Sequence, residues 1–503
     1  MKKIFLFSAL IYSLLVSGQN YVLDPTYGDN GSLVNFNNNV LPQKIYFENN
    51  KYYLIGQYNS IICLNYDGTF NNSFGNSGQL NITTTNNLTF KINGSNILNG
   101  YFYIYGQTID PNTSNDKDVF IAKFSLDGVL DSTFGNNGIF IQDFGVSDEE
   151  IKDLLFLDDG KIVCVGNESI GNNTQIFVSK HNSNGLFDSS FDINGYKILQ
   201  VPNVTNFYSN NIFNYQNNIL VVGYTQYTEI IEGNSNNHKE LFLANIDQNG
   251  NLIIGFGSSG YKINPLTDSL GVIGAIGIGK SKLINETDLF FEEDSAFSFS
   301  NQFKNLRKYN FTNDTIETLC FLPFESPYFT IEDNQKIYIT GAERCINTGC
   351  NRIFALNRKN IDGTIDTSFN NNGNFSYNFS SYNDSRSFTY YIHNDGKIYI
   401  AGITGGFAGL LATLRITDSS LFINSNLIRN ITIVPNPVEN ELIIDNQNKE
   451  NIQEIFIFDV TGKEILALNT CLNKIDVSKL DKGIYIINMI IDNQSYYHKF
   501  IKR

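Results

Sequence analysis

Short apolar runs, cut at close intervals by Gly, Asn and Asp, recur along almost the whole of this chain. Examples are Tyr52-Tyr53-Leu54-Ile55-Gly56, Tyr103-Ile104-Tyr105-Gly106, Lys161-Ile162-Val163-Cys164-Val165-Gly166 and Ile219-Leu220-Val221-Val222-Gly223. Two more are Lys336-Ile337-Tyr338-Ile339-Thr340-Gly341 and Lys397-Ile398-Tyr399-Ile400-Ala401-Gly402. Runs this short, rich in aromatic and β-branched residues and bounded by turn formers, predict strands rather than helices. The closing glycines are spaced by 50, 60, 57, 118 and 61 residues, so one copy is missing between 223 and 341. Leu289-Phe290-Phe291 stands where the degenerate copy belongs, which gives seven units.

A second phrase keeps the same period. Leu130-Asp131-Ser132-Thr133-Phe134-Gly135-Asn136-Asn137-Gly138 has relatives at Leu23 to Gly31, Phe70 to Gly78, Phe187 to Gly195, Leu252 to Gly260 and Ile365 to Gly373. Its aromatic residue falls at 27, 74, 134, 191, 256 and 369, at intervals of 47, 60, 57, 65 and 113, the last about two periods. A period in this range marks a repeat architecture. Turn chemistry and packing account for the phrase: glycine permits positive φ, Asp bonds its own backbone two residues on, and the Phe or Tyr is an apolar plug between sheets.

One unit reads from Asp118 to Gly166. Val119 to Phe124, Ile139 to Phe144, Ile151 to Leu157 and Lys161 to Val165 are its strands, joined by Leu126-Asp127-Gly128, the nine-residue phrase and Asp158-Asp159-Gly160. Four antiparallel strands repeated in this way predict an all-β fold, a seven-bladed β-propeller. The last unit stops at Thr417-Asp418-Ser419-Ser420 without a phrase, whereas the first phrase, Leu23 to Gly31, has no unit before it. A strand at Ser32 to Phe36 that completes the last blade would close the ring and remove its edges. The predicted organisation is a signal peptide at 1–18, the propeller at 19–425, a linker at 426–432 and a small β-sandwich at 433–503.

The ends of the chain and its charge bear on where it acts. Lys2, Lys3, the largely apolar stretch Ile4 to Val16 and the small residues Val16-Ser17-Gly18 predict a secretory signal cleaved between Gly18 and Gln19. That stretch is too short for a spanning helix, and no other segment of the chain is long and apolar enough, so no transmembrane segment is expected in the mature protein. The net charge of −15 argues against a nucleic-acid or anionic-membrane partner. Cys345 and Cys350 could close a loop between two strands as a disulfide, whereas Cys63 and Cys164 lie in apolar runs and read as buried thiols. With four His and no C-x-x-C pair, no zinc site is expected, and no cofactor is read from the sequence.

The phrases Leu126 to Gly135 and Asp159-Gly160-Lys161-Ile162-Val163 resemble the delta-60 repeat family of bacterial β-propellers. The likeness spans nearly all of 20–423, with the unit around 280–330 departing from it, and it implies a fold but no activity. The tail resembles the C-terminal sorting domain of the type IX (Por) secretion system of Bacteroidetes. The residues that carry this are Pro435-Asn436-Pro437, the turn Asp459-Val460-Thr461-Gly462-Lys463, the strand Gly483-Ile484-Tyr485, and the basic end with Lys499 and Lys502. This resemblance implies the type IX machinery as a partner and a secreted or outer-membrane-surface location.

No catalytic, cofactor-binding or metal-binding residue is assigned. Gly274 to Ser281 satisfies the P-loop pattern, but that chemistry needs a helix after the loop, and Lys282 to Phe291 reads as strand and turn. Asp110, Asn112, Ser114, Asp116 and Asp118 lack the glycine and terminal glutamate of a calcium loop and read as a solvated connection. The expected function is a non-enzymatic binding module with a glycan or protein ligand. The alternative is an extracellular polysaccharide lyase or hydrolase, which would need several Asp, Glu, His, Arg or Tyr converging in the propeller channel.

Overall fold

The computed structural model describes residues 19–419 and 431–503, apart from 36–39, 83–87, 111–116, 146–147, 202–205, 232–233, 267–274, 299–300, 323–324, 333–335, 344–351, 380–381, 383, 406–408, 447–451, 461, 469–472 and 492–493. Gly18, Cys345 and Cys350 lie outside the described residues. The chain divides into two compact units, Met1–Thr417 and Asp418–Arg503. Both are built of β-strands, and no described helix is long and apolar enough to cross a membrane.

Among the described residues the first unit holds seven antiparallel sheets, six of them four-stranded. The first sheet runs Pro42–Glu48, Lys51–Gly56, Ser60–Asn65, Gln79–Asn81, and the second Thr89–Leu98, Tyr101–Ile109, Val119–Ser125, Ile139–Gln142. The third opens with Asp148–Phe156, the fourth with Phe207–Tyr215, the fifth with Ala275–Ile284 and the sixth with Glu325–Glu332. The seventh joins Arg386–Ile392, Ile398–Thr404 and Leu410–Asp418 to two strands from the other end of the unit, Tyr21–Leu23 and Ser32–Asn35. Ser32 to Asn35 pairs antiparallel with Leu414 to Leu411. First strands of successive sheets lie against one another, and Arg386–Ile392 of the seventh lies against Pro42–Glu48 of the first.

The sequence unit Asp118 to Gly166 straddles two of these sheets. Val119–Ser125 and Ile139–Gln142 are the outer strands of the second sheet, whereas Asp148–Phe156 and Ile162–Ile170 open the third. A repeat period fixes spacing but not the point in the cycle at which hydrogen bonding passes from one sheet to the next.

The nine-residue phrase joins third and fourth strands in five copies, and joins Tyr21–Leu23 to Ser32–Asn35 in the first copy. In each of four copies an Asp carboxylate accepts both the backbone N–H and the hydroxyl of the residue two further on: Thr26 on Asp24, Thr133 on Asp131, Ser190 on Asp188, and Ser368 on Asp366, with hydroxyl distances of 2.6 Å. A cation from the third strand reaches the same carboxylate, as with Lys123 on Asp131 (2.7 Å), Arg358 on Asp366 (2.7 Å) and Arg415 on Asp24 (2.8 Å). The aromatic residue is buried as a plug at Tyr27, Phe74, Phe134, Phe191 and Phe369. It faces the turn of the next sheet, where a Cβ on Gly68, Gly128 or Gly185 would come within 2.8, 3.0 and 2.7 Å of Tyr27, Phe74 and Phe134. That close approach is why the turn carries glycine.

The second unit packs a three-stranded sheet (Ile431–Val434, Glu441–Asn446, Lys474–Asp476) and a four-stranded sheet (Ile452–Asp459, Glu464–Leu468, Gly483–Ile491, Gln494–Lys502) over one core. Leu442, Ile444 and Ile475 of the first sheet meet Ile455, Ile457, Ile487 and Phe500 of the second there.

Candidate functional site

The first strand of every sheet in the first unit carries an irregularity against its second strand. The register shifts fall between Pro42 and Lys44, Ile92 and Gly94, Ile151 and Asp153, Ser209 and Asn211, Ile278 and Ser281, Glu325 and Tyr328, and Ser387 and Thr389. A β-bulge bends its strand and re-aims a side chain. Here the extra residues of five sheets, Gln43, Asn93, Lys152, Asn210 and Lys280, converge on one cavity of about 400 Å³. A narrower hollow of about 190 Å³ continues it, lined by Lys44, Ser95, Asn96, Tyr105, Asp153, Asn211, Lys282 and Tyr328 among others.

The glycines that close the apolar runs exist because of these bulges. Gly106, Gly166, Gly223 and Gly402 pair with Ile92, Ile151, Ser209 and Ser387, the residues at which the bulges begin. A Cβ there would sit 2.1, 2.2, 2.1 and 1.9 Å from the carbonyl oxygens of Lys91, Glu150, Tyr208 and Arg386. The cavity residue stands 13 or 14 positions before its glycine, as in Gln43 and Gly56, Asn93 and Gly106, or Lys152 and Gly166. That spacing is the signal from which the lining could have been found.

Side chains beside the bulges bond across to the next sheet. Lys44 donates to Ser95 O (3.0 Å) and Asn96 Oδ1 (3.3 Å), and Asn96 Nδ2 to Leu154 O (3.0 Å). Asn93 Nδ2 donates to Ile151 O (2.9 Å) and Glu150 (3.1 Å). Asp153 accepts four hydrogen bonds, from Tyr105 Oη, Leu154 N, Asn211 Nδ2 and Ile212 N, at 2.9 to 3.1 Å. Asn211 Oδ1 accepts from Ser281 N and Oγ at 2.9 and 2.8 Å, and Asn210 Nδ2 donates to the carbonyls of Ile278 and Gly279. The belt ties the inner edges of neighbouring sheets together. Glu150 is paired with Lys152 (2.6 Å) and Glu292 with Lys304 (3.5 Å). Burial alone would raise the Glu150 pKa; Lys152 and Asn93 bring it below the ordinary value.

The fifth sheet, the irregular one, contributes most of the charge. Ala275–Ile284 is a strand followed by the strand Asp288–Ser298, so Ala275 to Ser281 of the P-loop pattern belong to the first strand of a sheet and not to a phosphate cradle before a helix. Gly279 leaves room for Glu292 of the second strand, whose carboxylate oxygen would lie 2.5 Å from a Cβ there, to reach the cavity. Lys280 keeps contact with solvent inside the cavity, yet protein surrounds it. Loss of bulk hydration lowers its pKa, Lys44 and Lys152 push the same way, and Asp153 and Glu292 oppose them.

Two other places draw attention. A hollow of about 630 Å³ beside Tyr215, Phe256, Lys262, Phe311 and Asp314 lies where the fifth sheet, turning directly from Asn310 to Thr315, has no phrase loop to cover the Phe256 plug. Asp118, Asp143 and Glu149 bring one carboxylate oxygen each within 4.8 Å of one another, a donor set of the kind that holds a hard cation. Only Asp118 belongs to the polar stretch read above as a solvated connection, and 111–116 lie outside the described residues.

The residues singled out from sequence are dispersed. Gln19 adds a short parallel bridge to Phe369, its N–H on Ser368 O at 2.7 Å and its side-chain oxygen accepting from Arg358 at 3.2 Å. Cys63 and Cys164 are buried free thiols. In the tail, Asn436 stands between Pro435 and Pro437 and clamps the last strand, donating to Lys499 O and accepting from Ile501 N, both at 2.9 Å. Lys502 bridges to Val438. Asp459 accepts the Lys463 and Gly462 N–H groups across a turn in which Gly462 has φ +83°. Tyr485, two residues after Gly483, stacks on Phe500 with ring centroids 5.5 Å apart. The cavity residues were not among those singled out, because no motif marks them.

Comparison with known proteins bears on both units. Residues 432–503 match the secretion system C-terminal sorting domain, and residues 157–191 match the domain of unknown function DUF5122 beta-propeller. No curated protein matches the sequence. Among solved structures the chain is similar to Drosophila Semaphorin 2a, at 8% identity and a TM-score of 0.43 over 92% of this chain and 96% of that one. It is also similar to the polysaccharide lyase Uly1 (11% identity, TM-score 0.42, 75% of this chain and 90% of that one) and to a B. megaterium levansucrase (10%, 0.36, 59% and 87%). The chain thus carries β-propeller repeat sequence of the DUF5122 kind together with a secretion system C-terminal sorting domain, which marks it for export by the type IX system to the cell surface or beyond.

Proposed function

We propose that the exported chain is a non-enzymatic binding module whose ligand enters the central cavity of a closed, seven-bladed propeller. Seven sheets, the pairing of Ser32–Asn35 with Leu410–Asp418, and the contact of the seventh sheet with the first support the ring. In this reading the signal is removed before Gln19, residues 19–425 form the propeller, 426–432 link it to the sorting domain, and 433–503 engage the type IX machinery.

The observation that carries the binding role is the cavity wall. Five sheets each deliver a bulged polar side chain to one volume of about 400 Å³, within the range of small-ligand sites. Its carboxylates are engaged in structure: Asp153 takes four hydrogen bonds, and Glu292 is ion-paired with Lys304. Amide groups and ammonium groups are left to meet a guest, which suits recognition better than acid–base chemistry.

The test is a screen of the secreted chain against glycans and surface proteins, with turnover followed in the same samples. Saturable binding that Asn210→Ala and Gln43→Ala weaken, without product, is the expected result. Product formation abolished by Asp153→Asn or Glu292→Gln would establish the enzymatic alternative instead.

A further inference from the structure

We propose that the cavity recognises an acidic saccharide, with the Lys280 ammonium taking the sugar carboxylate and the amide oxygens of Gln43, Asn93 and Asn210 taking its hydroxyls. This rests on the binding role above and names the class of ligand.

The chain as a whole is acidic, with 50 Asp and Glu against 35 Lys and Arg. The cavity reverses that sign: its two parts are lined by five lysines and only two carboxylates, Asp153 and Glu292. The lysines differ in what they are doing. Lys152 and Lys304 are ion-paired, and Lys44 is bonded to Ser95 and Asn96. Lys280 and Lys282 of the irregular sheet make no hydrogen bond or ion pair with the described residues, and of the two only Lys280 stands at the bulge, with Lys44 and Lys152 near it as well as Asp153 and Glu292. An anion placed beside the Lys280 ammonium would gain a charge-assisted hydrogen bond.

The neutral lining adds acceptors rather than donors. Asn93 and Asn210 spend their Nδ2 groups on the neighbouring sheet, which leaves their carbonyl oxygens for a guest. The side-chain oxygen of Gln43 is buried at the cavity wall with no hydrogen-bond partner. A buried polar atom without a partner costs free energy that a ligand hydroxyl would recover. Hydroxyl donors combined with a carboxylate describe a uronic acid, whereas a simple inorganic anion would leave the amide oxygens unmet.

The test is calorimetric titration of the full exported chain with a glucuronate trisaccharide, its neutral glucose counterpart, and sodium sulfate. Thermal melting of each variant would verify folding. The expected result is binding of the uronate that weakens with salt, with both the neutral sugar and Lys280→Ala weaker by about tenfold or more, the loss of one charge-assisted contact. Gln43→Ala should weaken both sugars alike. Lysine ammonium signals should show the Lys280 pKa rising when the uronate binds. Equal affinity for the acidic and neutral sugars, undiminished binding by Lys280→Ala, sulfate binding as tight as the uronate, or no uronate binding would each overturn the inference. Neutral-sugar binding that depends on Gln43 but not on Lys280 would overturn it while leaving the binding role in place.

Discussion

At the scale of single residues, the two recurring phrases solve different problems. The Asp of the nine-residue phrase holds its turn, and where it meets Arg415 it also holds a guanidinium with no exposed surface. Arg415 donates to Asp24 Oδ2 and Thr26 Oγ1 at 2.8 Å, to Tyr66 O at 2.5 Å and to Tyr52 Oη at 3.2 Å. Burial alone would raise the Asp24 pKa, and Thr26, Lys397 and Arg415 together bring it down to about 2. Asp24→Asn would leave Arg415 buried without its counter-charge, and equilibrium unfolding should show a loss of about 3–5 kcal/mol. The closing glycine answers to the bulge. Gly166→Ala would drive a Cβ to 2.2 Å from Glu150 O, so either the bulge flattens or the strands part. Its cost should be about 1–3 kcal/mol or more, from overpacking. Gly160→Ala meets no atom within 4 Å at φ +81°, and should cost only the strain of its turn, about 1 kcal/mol. Denaturation midpoints of the two variants, measured side by side, decide whether the bulge is what selects glycine.

At the scale of elements, the apolar runs were legible as strands because their residues, length and bounding turns all agreed, and the phrase was legible as punctuation between them. The grouping of strands into sheets was not, since the spacing of the runs does not say which neighbour each strand pairs with, and Val119–Ser125 and Asp148–Phe156 fall in one repeat unit yet in different sheets. The cavity was illegible for a related reason: Gln43, Asn93, Lys152, Asn210 and Lys280 share a position but no single residue type, being one Gln, two Asn and two Lys. A binding wall that differs from copy to copy leaves no motif, only a fixed distance to a conspicuous glycine. The irregular fifth sheet was visible as a break in the repeat, and it does bring Gly279, Lys280, Glu292 and Lys304 to the cavity. The seventh sheet yields a prediction at this scale. Removing residues 19–35 takes away Tyr21–Leu23 and Ser32–Asn35, bares the edge of Leu410–Asp418 and strips the Tyr27 plug from the first sheet's turn. Unpaired strand edges template association. The truncated chain should therefore melt at lower temperature and aggregate at concentrations where the intact chain stays monodisperse in light scattering.

At the scale of the molecule, export by the type IX system exposes the protein to an environment whose pH the cell does not fix, and the buried titratable groups set its tolerance. Burial lowers the pKa of His181 and of His393 to about 4. His181 Nδ1 donates to Gly185 O at 3.0 Å, which leaves Nε2 to accept from Ser179 Oγ at 3.0 Å, and Tyr52 Oη, which accepts from Arg415, donates to His393 Nε2 at 2.6 Å, so both rings are built in as neutral. A depressed pKa in the folded state means that the unfolded chain binds protons first as pH falls. Stability is therefore full above the ordinary histidine value of 6.5 and declines as pH drops toward about 4. The loss is on the order of 3 kcal/mol for each fully committed ring. A second decline should follow between 3.8 and about 2, where Asp24, Asp131, Asp188 and Asp366 lose their bonds to cations and hydroxyls. Melting temperature against pH should fall in these two stages, and His181→Gln should shrink the upper one by about half, leaving the part due to His393.

A ligand held at the bulges would contact the first strands of the sheets in the first unit. Hydrogen exchange of the full chain, with and without the ligand that a screen identifies, measures this directly. New protection is expected in Pro42–Glu48, Thr89–Leu98, Asp148–Phe156, Phe207–Tyr215 and Ala275–Ile284, with the ligand recovered intact. Protection confined to outer strands such as Gln79–Asn81 and Ile139–Gln142 or to the sorting domain, or a ligand recovered cleaved, would contradict it.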